Sequence, residues 1–348
     1  MSETGVLVVE APGLATSVQD AGRRGHARLG IPPSGALDSE ALAVALALAG
    51  APAGAAALEC RYLGPVLRAE RAPVRVALAG GEAEMAVTRA DGAREQAGGW
   101  RSVTLAPGDR LRVGALRGSA TACLALCGGI DVAPVMGSRS TLTRARLGGI
   151  GGRLLAEGDR IAAAALPEGP ERAVAAPEAW VDDAPVAVVP GPQADHFTGA
   201  AHALLTATAW RISDRADRMG LRLDGPHLEH ASAPGRGADI VSDAIVTGAI
   251  QVPASGQPIL LLADRQTSGG YAKIATVITA DLPRLARLGP GAMLRFEAVD
   301  AVEGARRSRA ARAALDRLVA AIAPLAEGPD LTALYRENLI TARTDEET

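Results

Sequence analysis

Lysine and asparagine are almost missing from this chain. Lys273 is the only lysine among the 36 basic residues, and Asn338 is the only asparagine. A solvated surface tolerates arginine throughout, but lysine differs from arginine because it is a compact point charge on a flexible stem. The single lysine is therefore either a chance occurrence or part of a site at which a planar guanidinium does not fit. The residues around it distinguish these two explanations.

Aromatic residues are also scarce, at 2% of the chain, and 39 acidic residues balance the 36 basic ones. This composition argues against nucleic acid as a partner, because such binding needs a basic surface and often stacked aromatic rings. The three cysteines are too few for a disulfide framework, which fits a reducing cytoplasm. The five histidines lack the spacing of metal ligands, so we expect no metal site.

An uncharged run covers residues 41–58, ALAVALALAGAPAGAAAL. Its length approaches that of a membrane span, but Gly50, Pro52 and a further glycine interrupt it. Asp38 or Ser39 can cap a helix that ends near Gly50. We therefore predict a buried helix and no membrane partner. The N-terminal sequence lacks the basic and apolar regions of a signal peptide, so the expected location is cytoplasmic.

Most of the remaining sequence alternates short apolar runs with glycine and proline turns, which predicts β-strands in a sheet or barrel. Helices are predicted only at about 38–49, 194–205, 281–288 and 301–323. The stretch 166–185 is rich in proline, alanine and acidic residues and is typical of a linker. The prediction is a mainly β chain with few helices, and its parts are a β-rich N-terminal domain (1–175), a second β-rich domain (176–300), and a C-terminal helix and tail (301–348).

Glutamine is the amide side chain that this sequence retains. Five of the six glutamines lie in stretches bounded by glycine or proline, and these are Gln19, Gln193, Gln251, Gln257 and Gln266. Because glutamine both donates and accepts hydrogen bonds, it can recognise a planar amide or ureido group. Turn capping explains any one of them, but five together with the only lysine favour a binding site.

The segment 263–281, ADRQTSGGYAKIATVITAD, holds the highest density of such residues. We predict a buried strand that ends at Asp264, a polar loop, and a second strand from Tyr271. The two-residue period of a strand then places Tyr271 and Lys273 on one face, and Asp264 near Lys273 across a hairpin. A desolvated lysine there would bind an anion or carbonyl oxygen or transfer a proton. The alternative is a surface ion pair of little energetic value.

Two further regions suit anions. GSRST (137–141) and GGIGGRLLAEGD (148–159) are loops whose backbone amides can hold a phosphate or carboxylate. Arg218, beside a glycine turn, has the forked guanidinium that suits a carboxylate, although a charged edge strand is equally compatible. Neither a P-loop motif nor a GxSxG elbow is present in the sequence.

Taken in order, the motifs resemble the KipA-like family, which includes a component of bacterial ATP-dependent 5-oxoprolinase, its C subunit. This family is also labelled allophanate hydrolase subunit 2 or biotin-dependent carboxyltransferase domain. The resemblance runs from about residue 5 to 300 and is carried by SVQDAGRRGHARLGIPPSGALD, GGIDVAPVMGSRST, LGGIGGRLLAEGD, GPQADHF, SDRADRMGLRLDG and GAIQVPASGQPILLLADRQTSGGYAKIA. It implies a cyclophilin-like β-barrel architecture, a KipI-like partner and a third subunit.

The resemblance also implies a reaction on a cyclic amide, which ATP with magnesium would drive in the complex. Donors that stabilise negative charge on an amide oxygen are then the chemistry to look for. The expected catalytic residues are Lys273, Asp264, Gln266, Tyr271 and Asp20. The expected substrate-binding residues are Gln251, Gln257, Arg218, Arg139, Ser138, Ser140 and Arg23.

Two other functions stay open at this point. The chain is either a carboxyltransferase half that acts on urea or a related amide with carboxybiotin supplied in trans, or a regulatory protein that binds a partner without catalysis. A binding protein would tolerate the loss of Lys273, whereas a catalytic subunit would not.

Overall fold

The structure, a computed structural model, describes residues 4–178, 180–233 and 235–325. The strands before the central linker are β1 (Val6–Ala11), β2 (Ala15–Gln19), β3 (Ala57–Arg61), β4 (Val66–Glu70), β5 (Val74–Ala79), β6 (Met85–Thr88), β7 (Arg94–Ala97), β8 (Arg101–Leu105), β9 (Arg110–Val113), β10 (Thr121–Leu126), β11 (Arg160–Ala162) and β12 (Arg172–Ala173). The later strands are β13 (Val186–Pro190), β14 (Trp210–Ile212), β15 (Gly220–Asp224), β16 (Asp239–Ala244), β17 (Ala249–Gln251), β18 (Ile259–Leu261), β19 (Ser268–Tyr271), β20 (Lys273–Val277), β21 (Met293–Leu294), β22 (Phe296–Ala298) and β23 (Ala323–Pro324). The α-helices are α1 (Ser39–Ala49), α2 (Gly199–Ala207), α3 (Leu282–Arg287) and α4 (Ala301–Ala320).

The N-terminal half consists of two antiparallel sheets. One has the order β11-β1-β4-β9-β6-β7 and the other the order β2-β3-β10-β5-β8-β12-β23. Every residue of β10 is buried, because its alternating side chains face two different cores. Leu124 packs in the core that contains side chains of both sheets, whereas Cys123 packs against α1 on the other side. Both faces of this central strand are therefore covered.

Helix α1 forms where the sequence predicts it. Its first turn is capped by Asp38, whose Oδ1 accepts the Ala41 N–H at 2.9 Å, and it ends at Gly50, which adopts a left-handed φ of 75°. Alanines at five of its 11 positions let the helix lie close to the sheet. The uncharged run 41–58 is thus a core helix followed by a turn and strand β3.

The C-terminal half is an eight-stranded sheet with the order β21-β14-β15-β18-β17-β20-β13-β22. Its two edge strands, β21 and β22, are separated in the chain by Arg295 alone. The two edges of the sheet therefore lie next to each other, and the sheet closes almost completely into a barrel. The barrel core includes Trp210, whose indole Nε1–H donates to the Leu205 carbonyl at 2.9 Å. The prediction of a mainly β chain with barrel architecture is confirmed.

A separate two-stranded sheet, β16 with β19, is connected directly to the barrel strand β20 at Ala272. We call this pair of strands the outer ribbon. Its side chains are largely exposed, and Val241 is 92% accessible. The ribbon therefore packs less tightly than the barrel from which it extends.

The C-terminal helix α4 packs against the N-terminal half, since Leu315, Leu318 and Val319 contact the core around α1. The prediction for 301–348 extends past the described residues, because 326–348 lie outside them. The domain limits at 175 and 300 stay predictions. No helix in the described part of the chain is long and apolar enough to cross a membrane.

Candidate functional site

Lys273 opens strand β20, and its side chain is buried with 2% accessibility. Its Nζ lies 3.1 Å from Oδ2 of Asp243, a carboxylate of the outer ribbon that is 46% exposed. The predicted pairing of Lys273 with Asp264 is wrong, since Asp264 pairs with an arginine instead. The reason is that β19 forms a sheet with β16, which brings Asp243 over the lysine.

The expectation that Tyr271 and Lys273 share a face is also wrong. Tyr271 ends the outer ribbon and is 42% exposed, whereas Lys273 is buried in the barrel. The strand changes its partners at Ala272, whose N–H donates to the Ala238 carbonyl at 2.9 Å. This change breaks the two-residue alternation between the two side chains.

Three of the predicted glutamines lie beside this lysine. Gln193 accepts the Lys273 backbone N–H through Oε1 at 3.3 Å and donates from Nε2 to Asp243 at 3.2 Å. Gln251 is the register partner of Lys273 on strand β17, and its Oε1 accepts from Gln266 Nε2 at 3.1 Å. We call Lys273, Asp243 and these three glutamines the lysine cluster.

The amide of Gln251 is an exception to the rule that buried donors have partners. Gln251 is 1% exposed, and its Nε2 has no hydrogen-bond partner. A Cβ atom at Gly269 would lie 2.8 Å from Ile245 Cδ1 and 3.1 Å from this nitrogen, so the ribbon approaches the amide closely at this glycine. The lysine cluster thus contains an ammonium and an unused amide donor, the groups that stabilise negative charge on an oxygen.

Arg218 connects the two halves of the chain. Its Nε lies 2.9 Å from Asp264 Oδ2, its Nη1 pairs with Glu59, and its Nη2 donates to the Gly35 carbonyl at 2.7 Å. Burial opposes its charge, but the two carboxylates hold the pKa of Arg218 above its ordinary value. The expected carboxylate-binding fork is therefore already filled by the protein's own groups, which we call the Arg218 clamp (Arg218, Glu59 and Asp264).

Asp20 is the centre of a second buried network. Its Oδ1 accepts from the hydroxyls of Ser138 at 2.7 Å and Ser140 at 2.5 Å, and its Oδ2 accepts the Arg139 N–H at 2.6 Å. Burial acts to raise the pKa of Asp20, but the hydrogen bonds from both serines and from the backbone N–H groups of Arg139 and Gly22 hold it below its usual value. The carboxylate thus fixes the 137–141 loop.

The arginine side chains of this network donate to carbonyls. Arg23 is 1% exposed and donates to the carbonyl oxygens of Val135 and Ser140, both at 2.8 Å. Arg139 donates from Nε to the Val132 carbonyl at 2.9 Å. These hydrogen bonds are all internal to the protein. The substrate-binding role of the two arginines and of Ser138 and Ser140 stays a prediction.

The remaining predicted glutamine, Gln257, lies apart from the lysine cluster. Its Nε2 donates to the Gly225 carbonyl at 3.0 Å, which is a turn contact. Sequence reasoning missed Asp243 and Glu59. Nothing in the local sequence marks Asp243, but Glu59 interrupts the apolar strand ALECR, and a carboxylate in such a run indicates a buried partner.

The described residues contain no group of three or more histidine, cysteine or acidic side chains arranged to hold a metal ion. The three thiols are buried, and burial raises the pKa of Cys60 to about 12. These cysteines therefore belong to the core and not to a site.

The sequence pattern of the carboxyltransferase domain, subdomain A and B, matches residues 29–298. Because that range covers more than half of the 348 residues, the chain belongs to this carboxyltransferase domain family. The resemblance inferred from the motifs is confirmed.

The similar proteins include a subunit of one enzyme and a segment of a much longer one. The C subunit of the Escherichia coli 5-oxoprolinase is 36% identical over 295 residues, which are 84% of this chain and 90% of that protein. The crystal structure of TTHA0988 has 35% identity and a TM-score of 0.74, and the match covers 85% of this chain and 56% of that one. The K. lactis urea amidolyase has 26% identity and a TM-score of 0.80, with coverage of 94% and 21%. The chain thus spans about half of TTHA0988 and about a fifth of the amidolyase.

Proposed function

We propose that this chain is a subunit of an ATP-dependent 5-oxoprolinase, which opens 5-oxoproline to L-glutamate together with a KipI-like partner and a third subunit. The observation that carries the proposal is the similarity to the E. coli 5-oxoprolinase component, which extends over 90% of that protein at 36% identity. A match to nearly the whole relative supports the same role, whereas a match to one segment of a long enzyme supports only a shared domain.

The lysine cluster supplies chemistry that suits this reaction. Hydrolysis of 5-oxoproline adds water across the ring amide: hydroxide bonds to the carbonyl carbon, the carbon–nitrogen bond breaks, and the nitrogen takes a proton. The carbonyl oxygen becomes negative before that bond breaks, so fixed donors next to it lower the barrier. Lys273 Nζ and Gln251 Nε2 are these donors, and Gln266 holds the amide of Gln251 in orientation. Tyr271 stays a candidate at the exposed edge.

Asp243 and Gln193 set the position of the lysine. Asp243 Oδ2 accepts both the Lys273 ammonium and the Gln193 amide. A substrate oxygen that approaches Nζ replaces or shares this contact, since an ammonium has three donors. ATP with magnesium is a co-substrate of the proposed complex.

A carboxyltransferase acting on urea or a related amide is the second candidate. The similarity to urea amidolyase over 94% of this chain favours it. Biotin attaches to proteins through a lysine ε-amine, and the only lysine of this chain is buried beneath Asp243. Carboxybiotin would therefore have to come from another chain.

The test is glutamate release from 5-oxoproline and ATP by this chain mixed with the KipI-like partner and the third subunit. Each protein is omitted in turn, and assembly is verified by size-exclusion chromatography. Glutamate that requires this chain supports the oxoprolinase. An assembled complex that releases no glutamate but transfers carboxylate from carboxybiotin to urea refutes it in favour of the second candidate.

A further inference from the structure

A cleft of about 700 Å³ lies between the N-terminal sheets and the barrel, next to the Arg218 clamp. Its walls carry more positive than negative side chains. The carboxylates are Glu59, Asp217 and Asp264, and the arginines are Arg61, Arg144, Arg146, Arg153 and Arg218. The glycine-rich loop 148–152 contributes Gly151 and Gly152 to the same wall.

Two of the five arginines are already neutralised. Arg218 is held by both carboxylates of the clamp, and Arg153 makes two contacts of 2.7 Å with Asp159. The third carboxylate of the wall, Asp217, accepts the backbone N–H groups of Met219 and Gly220. Within the described part of the chain, Arg61, Arg144 and Arg146 make no ion pair.

Arg61 is the unusual member of this group, because its guanidinium is buried. The residue is 6% exposed, its Nη2 donates to the Tyr62 hydroxyl at 3.1 Å, and its Nε has no partner. Burying a cation without a counter-charge is costly. An anion in the cleft would supply that charge.

The backbone next to these arginines is strained. Tyr62 has a φ of 64° and Arg146 a φ of 52°, and both lie in the left-handed region that side chains other than glycine avoid. Such strain persists where the surrounding structure enforces it, often at ligand sites. Here the left-handed backbone at Arg146, and at Tyr62 directly after Arg61, sets the path of the chain beside these two arginines.

We propose that this cleft binds a phosphate-bearing ligand through Arg61, Arg144 and Arg146. Guanidinium groups match phosphate oxygens in geometry, and three unpaired cations suit a group with two or more negative charges better than a single carboxylate. The volume of the cleft falls within the usual range of small-molecule and cofactor pockets. This inference concerns binding by this chain and does not depend on the oxoprolinase reaction.

The experiment is calorimetric titration of the full chain, and of the assembled complex, with ATP, ADP, inorganic phosphate and 5-oxoproline. We expect ATP and phosphate to compete for one site whose affinity falls as salt rises. The double variant Arg144→Gln/Arg146→Gln changes exposed residues and should fold normally. Its affinity should be weaker by about tenfold or more, since it loses charge-assisted contacts. Arg61→Gln should also weaken the affinity for ATP and phosphate.

Arg112→Gln is the matched control, because Arg112 is exposed on β9 and lies outside the cleft. It removes one positive charge and should leave the affinity unchanged. Three results would overturn the proposal: no binding of ATP or phosphate to the chain or the complex, binding that the double variant retains in full, or binding of 5-oxoproline at these arginines without competition by phosphate.

Discussion

Lys273 and Asp243 form an ion pair between two different sheets, with 3.1 Å between Nζ and Oδ2. The ammonium belongs to the barrel and is buried, whereas the carboxylate belongs to the outer ribbon and is partly exposed. The hydrogen bond from Lys273, with others from the Ala244 N–H and Gln193, holds the pKa of Asp243 below its ordinary value. Asp243 is therefore ionised at neutral pH, and a charge contact holds the ribbon over the lysine.

The first prediction concerns the ammonium itself. Lys273→Met removes the charge and shortens the side chain by one heavy atom, so most of the buried space stays filled. Loss of one preorganised donor at a developing oxyanion typically lowers the rate by about 100-fold or more. We expect a loss of that size in glutamate formation by the assembled complex, measured at saturating 5-oxoproline.

Arg112→Gln, on an exposed N-terminal strand, is the control for general effects of removing a cation. Thermal unfolding of both variants separates misfolding from lost chemistry. A folded Lys273→Met complex with near wild-type activity would contradict the catalytic role and would favour a regulatory binding protein.

The second prediction concerns the outer ribbon. Asp243→Asn removes the charge that attracts the lysine, so the ribbon should open more often. Because the Asp243 carboxylate is partly exposed to water, the pair should contribute only modestly, and the increase in amide hydrogen exchange of β16 and β19 should be about two- to fivefold. The matched control is Asp239→Asn, which changes an exposed carboxylate on the same strand that has no ion pair among the described residues. Equal exchange in the two variants would show that the ion pair does not hold the ribbon.

The third prediction concerns acid stability. The pKa of Asp20 is lowered in the folded state, so ionised Asp20 stabilises the fold above its unfolded pKa of about 3.9. This contribution is lost as the pH falls through the folded-state pKa. Asp20→Asn should therefore reduce the free energy of unfolding at pH 7 by about 1–3 kcal/mol, because one acceptor of buried donors is lost.

The difference between wild type and Asp20→Asn should narrow as the pH is lowered towards about 3, below the unfolded pKa. Urea unfolding curves across this range measure it, with Asp131→Asn as an exposed control. A difference that stays constant with pH would show that the carboxylate charge is not the source of the stability.

Much of the fold can be predicted from the sequence, because local signals such as helix caps and apolar runs determine where its helices and strands form. Asp38 and Gly50 mark both ends of α1, and both are observed caps. The apolar runs become strands, but the run AMLRFEAV (292–299), which alone would predict one strand, forms β21 and β22 with Arg295 between them. That division depends on closure of the barrel, which no local pattern records.

The site was less predictable because its contacts join distant segments. The glutamines and Lys273 do gather, but the partner of the lysine is 30 residues away on a strand that local sequence does not mark. Asp20 and Ser140, 120 residues apart, satisfy each other and so form a structural network. Residue type indicated a functional site in both cases, and only the tertiary structure showed which hydrogen bonds each residue makes within the protein.

The last prediction concerns the Arg218 clamp. Glu59 and Asp264 are 1% and 6% exposed, so Arg218→Met leaves two buried carboxylates without their cation. Breaking a buried pair by removing one partner typically costs about 3–5 kcal/mol. We expect a loss of that size in the free energy of unfolding, measured with urea at pH 7. Arg215→Met, an exposed arginine of the same loop, should change it by less than about 0.5 kcal/mol.

Neutralising both carboxylates tests the cause of this loss. The triple variant Arg218→Met, Glu59→Gln, Asp264→Asn has no buried charge left in the clamp, so the cost of an uncompensated buried charge is removed. It should recover most of the stability that Arg218→Met loses, while Glu59→Gln keeps an acceptor for the Leu37 N–H. If the triple variant is as unstable as Arg218→Met, the loss comes from the missing contacts between the two halves and not from uncompensated charge.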